Sequence, residues 1–297
     1  MAVTSPYEAL LRRVPVREHT TPVLGTTTAW WEYGDPDATT TIVLVHGFRG
    51  DHHGLEPVVA HLSGYRLVAP DLPGFGESES LVSAHDIPGY SAWLRAFIDA
   101  VVPGGEAIIL GHSFGSIVSS AAVADGLRTP ALILVNPIAA PALAGPRGVL
   151  TRLAVFYYWA AAALPERIGF AVLRSRLVVR IMSEAMAKTR ERSLRTWIHA
   201  QHQLYFSRFA SRRVVLEAFR ASVSADVSMV ADRIVVPTLL IAAERDDITP
   251  VAAQHRLQRQ FADARLEIIP SVGHLIHYEV PEAAAGYIDD FLARRPA

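Results

Sequence analysis

The chain has 297 residues, of which 51% are hydrophobic and 19% charged, with a formal net charge of −1 and no cysteine. This is enough apolar sequence to bury a large core, which excludes a disordered chain. The near-zero charge without a Lys/Arg run leaves no electrostatic footprint for nucleic acid. The missing cysteines exclude disulfides, a thiolate nucleophile and a Cys-based zinc site.

The segment from Met1 to Arg13 lacks the basic stretch followed by a long apolar one that a secretory signal needs, so the cytoplasm is the expected location. The longest apolar run, Leu153 to Leu164, falls short of the about 20 residues a bilayer crossing requires, and no stable membrane insertion is expected. Lys188 is the single lysine among 28 basic residues, a balance expected of a GC-rich bacterial genome.

Taken in order, Val16–Thr21 and Thr26–Tyr33 are β-prone pieces joined around Pro22 and Gly25, an antiparallel hairpin at a sheet edge. Thr41–Val45 is continuously apolar, as in a strand covered on both faces, and ends at the loop His46-Gly47-Phe48-Arg49-Gly50. A helix over 54–62 and a buried strand over 65–69 follow. The loop Pro70–Ser78 comes next, and its Gly74 and Gly76 fall one glycine short of a nucleotide-binding fingerprint. The pattern predicts a helix from Ile87 to Val102, stopped by Pro103-Gly104-Gly105.

The stretch Ile108–Ser120 organises the rest. It reads as a short buried strand that turns at Ser113 into a helix of small residues, with Gly111 and Gly115 flanking the corner as Gly-x-Ser-x-Gly. Nearly absent side chains two positions before and after allow the strained backbone that pushes the serine hydroxyl out of the sheet. Phe114, opening the helix, offers its backbone N–H to the same point, where a helix N-terminus favours negative charge.

A further buried strand is expected over 131–135. From 138 to 230 strand-like runs vanish, helix-compatible sequence takes over and aromatics gather at Phe156, Tyr157, Tyr158, Trp159, Trp197, Tyr205, Phe206 and Phe209. This predicts a helical insertion, residues 138–230, within a core formed by 1–137 and 231–297. A strand over 235–243 leads to Glu244-Arg245-Asp246-Asp247, then a helix from Pro250 to about Ala262. The last strand is Arg265–Ile269, with the exit loop Pro270–His274 and a closing helix over 281–292. Buried runs at this spacing, each followed by a helix, make a mostly parallel, doubly wound α/β sheet the economical reading.

A neutral serine hydroxyl needs a base, and the base an orienting carboxylate. Asp246 and His274 both follow strands, which carries them to the same sheet edge as Ser113. Asp247 is the competing acid and His277 the competing base. His46 and His112 are expected as structural supports, His52-His53 as a surface loop pair, and His199 and His202 as a packed or surface pair. Neither a cofactor nor a metal is expected.

The segments His46-Gly47-Phe48, Asp71–Ser78, Gly111–Gly115, Glu244-Arg245-Asp246 with Pro250, and Gly273-His274 with Pro281-Glu282 together resemble the α/β-hydrolase fold superfamily in its single-cap branch. The match covers 16–137 and 235–297, and the insertion matches only as a helical cap. That resemblance implies Ser113 as nucleophile, His274 as general base and Asp246 as its orienting acid. It implies the backbone N–H groups of Phe48 and Phe114 as the oxyanion hole.

A serine rather than an aspartate at the elbow argues against epoxide hydrolysis and dehalogenation and directs attention to carbonyl chemistry on a small-molecule substrate. The candidates are hydrolysis of an ester, thioester or lactone with an apolar acyl or aromatic part, or C–C cleavage on a carboxylate-bearing substrate. A ligand receptor on the same scaffold is the third. Trp159 and Trp197 are taken as substrate-facing aromatics under the lid, and Arg49 either as a substrate-carboxylate group or as a solvated loop arginine. A homodimer is compatible with this reading.

Overall fold

The computed structural model describes residues 3–102, 104, 106–140 and 148–294, with side chains left aside over 148–153. The expected leader residues 1–2, the helix stop at Pro103 and Gly105, the start of the expected insertion at 141–147 and the last residues 295–297 lie outside the described residues.

In chain order the elements are α1 Glu8–Leu11, β1 Val16–Val23, β2 Thr26–Gly34, β3 Thr41–Val45, α2 Glu56–Val59, β4 Arg66–Pro70 and α3 Ile87–Val101. They continue with β5 Ile108–His112, α4 Phe114–Ala124, β6 Leu132–Val135, α5 Gly148–Ala163, α6 Glu166–Leu173, α7 Arg176–Met186, α8 Arg192–Tyr205 and α9 Arg212–Ser224. The chain closes with β7 Thr238–Ala243, α10 Val251–Gln258, β8 Ala264–Ile269, α11 Ile276–Glu279 and α12 Pro281–Ala293.

Among the described residues, eight strands form one sheet in the order β1-β2-β4-β3-β5-β6-β7-β8. The expected hairpin is the antiparallel edge, and β2 pairs antiparallel with β4 while every later pair is parallel. Pro22 stays inside β1, opposite Thr27, because β1 has a neighbour on one side only and its missing N–H costs no ladder bond. Along β3, Val43 and Val45 join the apolar cluster on one face, Ile42 and Leu44 that on the other. A strand covered on both faces reads as an unbroken apolar run for that reason.

Helix α3 buries Tyr90, Trp93, Leu94, Phe97 and Ile98, positions spaced one helical face apart, and Asp86 caps it by accepting from Gly89 N–H at 2.8 Å. The helix expected over 54–62 is shorter than its pattern: a 3₁₀ turn at His52–Gly54 precedes α2, and Pro57 sits in the first turn of α2. The seventh strand starts at Thr238, one residue after Pro237, rather than at 235. Among the described residues, five α-helices, α5 to α9, lie between β6 and β7, and the sheet order seats β5, β6, β7 and β8 side by side, so the loops leaving them share one edge.

Candidate active site

Ser113 sits at the corner between β5 and α4 with φ 52° and ψ −116°, a region a side chain adopts only under strain. The two glycines are required by contact: a Cβ on Gly111 would stand 2.5 Å from Gly115 O, and one on Gly115 would stand 2.1 Å from Val45 O. The serine is anchored by its own N–H, which donates to Val135 O at 3.1 Å.

From the end of β8, His274 brings Nε2 to 2.8 Å from Ser113 Oγ, and its Nδ1 lies 2.8 Å from Asp246 Oδ2. The carboxylate of Asp246 is itself held. Oδ1 accepts from the N–H of Ile248 at 2.7 Å and of Thr249 at 3.2 Å, and Oδ2 accepts from Asn136 Nδ2 at 3.1 Å. Burial alone works to raise the Asp246 pKa, but the charge and hydrogen bond of His274 and the two backbone donors outweigh it and hold the carboxyl below its ordinary value. Asn136, at the end of β6 with φ 46°, is a member of the site that sequence reasoning missed. Its signal was an Asn at a strand exit beside the elbow. The competing acid Asp247 points away and pairs with Lys188 on the surface.

The Gly47 backbone approaches the elbow closely: a Cβ there would stand 3.3 Å from that of Ser113. Phe48 lies next to it and makes an aromatic wall with Phe75, Phe114, Tyr158 and Phe219, ring centroids 5.7 to 6.4 Å apart. His46 supports the same loop as expected, its Nε2 accepting from Leu72 N–H at 2.8 Å.

Three residues expected at the substrate are placed elsewhere. Trp159 is 49% exposed beside Phe156, because a helix α5 that buries Tyr158 and Ala161 turns 156 and 159 outward. Trp197 is buried between the rings of Tyr7 and Tyr278, centroids 5.4 and 5.2 Å away, in a small cluster apart from the aromatic wall. Arg49 is 1% exposed, and neither a solvated arginine nor one open to a carboxylate: its guanidinium donates to Phe206 O at 2.9 Å and Leu173 O at 2.8 Å.

His52 also departs from the expected surface pair. It is 3% exposed, stacks on Trp31, and presents its N–H and Nδ1 to Asp71 Oδ1 at 2.8 and 2.9 Å. Asp51, His52 and His53 offer three ligand atoms within 4.8 Å of one another. Of these groups, Nδ1 of His52 is engaged by Asp71 and Nδ1 of His53 lies 3.2 Å from Asp51 Oδ1. Burial, then the neighbouring His53, pulls His52 down to about 3, whereas burial, then Asp51, pushes Asp71 up to about 6.

A second buried group lies behind His274. The His112 ring stands 5.7 Å from that of His274 and 4.0 Å from that of His277. Farther on, His199 and His202 both bring Nδ1 to 2.6 Å from Ser183 Oγ. Burial first, then a neighbouring imidazole, lowers His112 and His202 to about 3 and His277 well below its ordinary value, so all three are neutral. His277 is buried against the His112 ring, and the imidazole within hydrogen-bond reach of Ser113 Oγ is that of His274.

A hydroxyl at a strained strand–helix corner, with an imidazole and a buried carboxylate in series behind it on a doubly wound sheet, defines a protein of the α/β-hydrolase fold. A family model described as "Alpha/beta hydrolase family" matches residues 42–286, and the chain belongs to that family and is a hydrolase. Among curated relatives, a pimeloyl-[acyl-carrier protein] methyl ester esterase of Neisseria meningitidis serogroup B is 26% identical over 261 residues, covering 86% of this chain and 94% of its own. Among solved structures, the enol-lactonase from Burkholderia xenovorans superposes with a TM-score of 0.77 at 21% identity, over 93% of this chain and 100% of the other. A thermophilic esterase from Thermogutta terrifontis gives 0.75 at 19% identity, over 94% and 98%. No helix among the described residues is long and apolar enough to cross a membrane.

Proposed function

We propose that the protein is a serine carboxylic ester hydrolase that works through an acyl-enzyme. The observation that supports this most directly is the series Ser113 Oγ, His274 Nε2 at 2.8 Å and His274 Nδ1 to Asp246 Oδ2 at 2.8 Å. In this reading Ser113 Oγ attacks the substrate carbonyl carbon and its proton passes to His274 Nε2. The oxyanion that forms is received by the N–H groups of Phe48 and Phe114, the second at the N-terminus of α4, where the helix field favours negative charge. Collapse of the tetrahedral species expels the alcohol, which takes the proton from His274. Water, giving a proton to the same nitrogen, then cleaves the acyl-enzyme.

Asp246 holds the imidazole in the tautomer that leaves Nε2 free to accept. The helices of residues 138–230 act as the lid over this centre. The wall of Phe48, Phe75, Tyr158 and Phe219 suits an apolar acyl or aromatic group, and the relatives named as esterases accord with an ester. Carbon–carbon cleavage needs a group to hold the substrate carboxylate, and the arginine considered for that role is already engaged.

The test is a panel of p-nitrophenyl esters from acetate to palmitate plus a 2-hydroxy-6-oxo-dienoate, run on wild type and Ser113→Ala, with fluorophosphonate labelling of both. Hydrolysis of esters and labelling by wild type alone support the reading. Absence of label on wild type, or activity retained by the variant, overturns it. Turnover of the dienoate in preference to every ester reassigns the bond cleaved.

A further inference from the structure

The side chain of Arg49 is one of the largest fully buried groups in the molecule, and its hydrogen-bond partners among the described residues are two backbone carbonyls and the hydroxyls of Tyr157 and Tyr158, with no carboxylate. A guanidinium taken out of water without an anion is costly unless its N–H groups are met by well-placed acceptors. The acceptors here have a common origin. Leu173 is the last residue of α6, and Phe206 caps the C-terminus of α8. Both carbonyls belong to helix ends whose dipoles present partial negative charge. Nη1 faces Tyr158 Oη of α5 at 3.4 Å, and the guanidinium carbon lies 5.6 Å from the centre of the Phe209 ring. One side chain of the sheet's edge loop therefore reaches three helices of the insertion.

The backbone that carries this side chain is strained and short. Arg49 has φ 61°, in the left-handed region, inside a turn closed by Gly50 N–H donating to Gly47 O at 3.1 Å. Phe48, whose N–H is assigned above to the oxyanion hole, is the adjacent residue of that turn. A side chain fixed at its far end by two helix termini constrains the turn at its near end.

We propose that Arg49 is a positioning residue: it fastens the ends of α6 and α8 to the turn 47–50, so that the Phe48 N–H is correctly aimed only while the helical insertion is seated. The proposal rests on the oxyanion role given to Phe48 under Proposed function. It makes the lid and the oxyanion donor two ends of one strut, and a substrate that seats the lid thereby completes the site.

The test uses the full-length enzyme with Arg49→Lys, Arg49→Met and Arg49→Gly. Glycine adopts φ 61° without strain, so it separates loss of the tether from relief of the turn. For Met and Gly, kcat on the best p-nitrophenyl ester and the rate of fluorophosphonate labelling are expected to fall about 10- to 100-fold, with KM changed less than about threefold, since a misplaced donor loses part of what a deleted one would. Amide hydrogen exchange over 166–173 and 192–206 should rise about tenfold or more. Lysine, a point charge that cannot fork to two carbonyls, should restore only part of both.

Wild-type kcat and exchange in Arg49→Gly would overturn the strut. Faster exchange with unchanged kcat and labelling would overturn its coupling to the oxyanion donor. A wild type that neither labels nor hydrolyses any ester refutes the serine ester hydrolase reading proposed above, a result separate from these two.

Discussion

Ser113 Oγ and His274 Nε2 lie 2.8 Å apart although 161 positions separate them in the chain. The contact exists because β5 and β8 end at the same edge of the sheet and because Asp246, two strands from the serine, fixes the far side of the ring. Asp246→Asn keeps the shape of the carboxyl but favours the tautomer with the proton on Nε2, which cannot accept from the serine. The expected loss in kcat is about 10⁴-fold, as for the same exchange in other Ser-His-Asp enzymes, with a lowered melting temperature, because the new amide N–H₂ faces donors that the carboxylate oxygens accept from. Retention of more than a tenth of wild-type activity would show that Asp246 does not orient the base.

The strain at Ser113 yields a separate prediction about stability. With φ 52° and ψ −116°, a non-glycine residue there costs about 1–3 kcal/mol, while glycine adds about 0.5–1 kcal/mol of unfolded-state entropy. Ser113→Gly should therefore be about 1 kcal/mol more stable than Ser113→Ala in urea unfolding, with both inactive. Equal stabilities would mean that the elbow stores no strain.

The elbow could be read from sequence because its determinants are local: a buried run, two glycines and a serine within a few residues. The rule that strand exits share an edge brought His274 and Asp246 there, and the choice of Asp246 over Asp247 came from the family resemblance. Arg49 could not be read in the same way, since it bonds to backbone carbonyls 124 and 157 positions away, and every residue has a carbonyl. Trp159 and Tyr158 are neighbours in an aromatic run, and only the rotational phase of α5 decides that Tyr158 faces Phe48 while Trp159 faces outward. The burial of His52 depended on Trp31 and Asp71, which lie on β2 and just beyond β4, and no pattern in the His-His pair itself announces them.

Two glycines with opposite surroundings test how tightly the elbow is packed. Gly115→Ala would place its Cβ 2.1 Å from Val45 O, and the backbone of β3 cannot yield without disturbing the sheet. The expected cost is about 3 kcal/mol or more, or failure to fold. Gly286 sits in α12, where an added Cβ meets nothing within 4 Å, so Gly286→Ala should gain about 0.5–1 kcal/mol. A Gly115→Ala protein as stable as wild type would refute the close approach of α4 to β3.

The buried imidazoles make stability depend on acid in a definite direction. His52, His112 and His202 are lowered to about 3 in the fold against about 6.5 in the unfolded chain, so their contribution is fully present above pH 6.5 and is lost as pH falls toward 3. Each withdraws about 1.4 kcal/mol per pH unit within that window. Asp71 acts oppositely. Raised to about 6, it penalises the fold at neutral pH, and that penalty is relieved as pH drops from 6 toward 3.8. Between pH 6 and 4 these imidazoles, with His277 among them, take up more protons on unfolding than Asp71 releases, so unfolding binds protons net, seen as a fall in unfolding free energy measured by urea titration at several pH values. His202→Gln removes one of the titrating groups and should flatten the slope by about one proton, at some cost in stability at pH 7 from the altered contact with Ser183. A stability flat from pH 6.5 to 4.5 would show that these imidazoles are not held neutral in the fold.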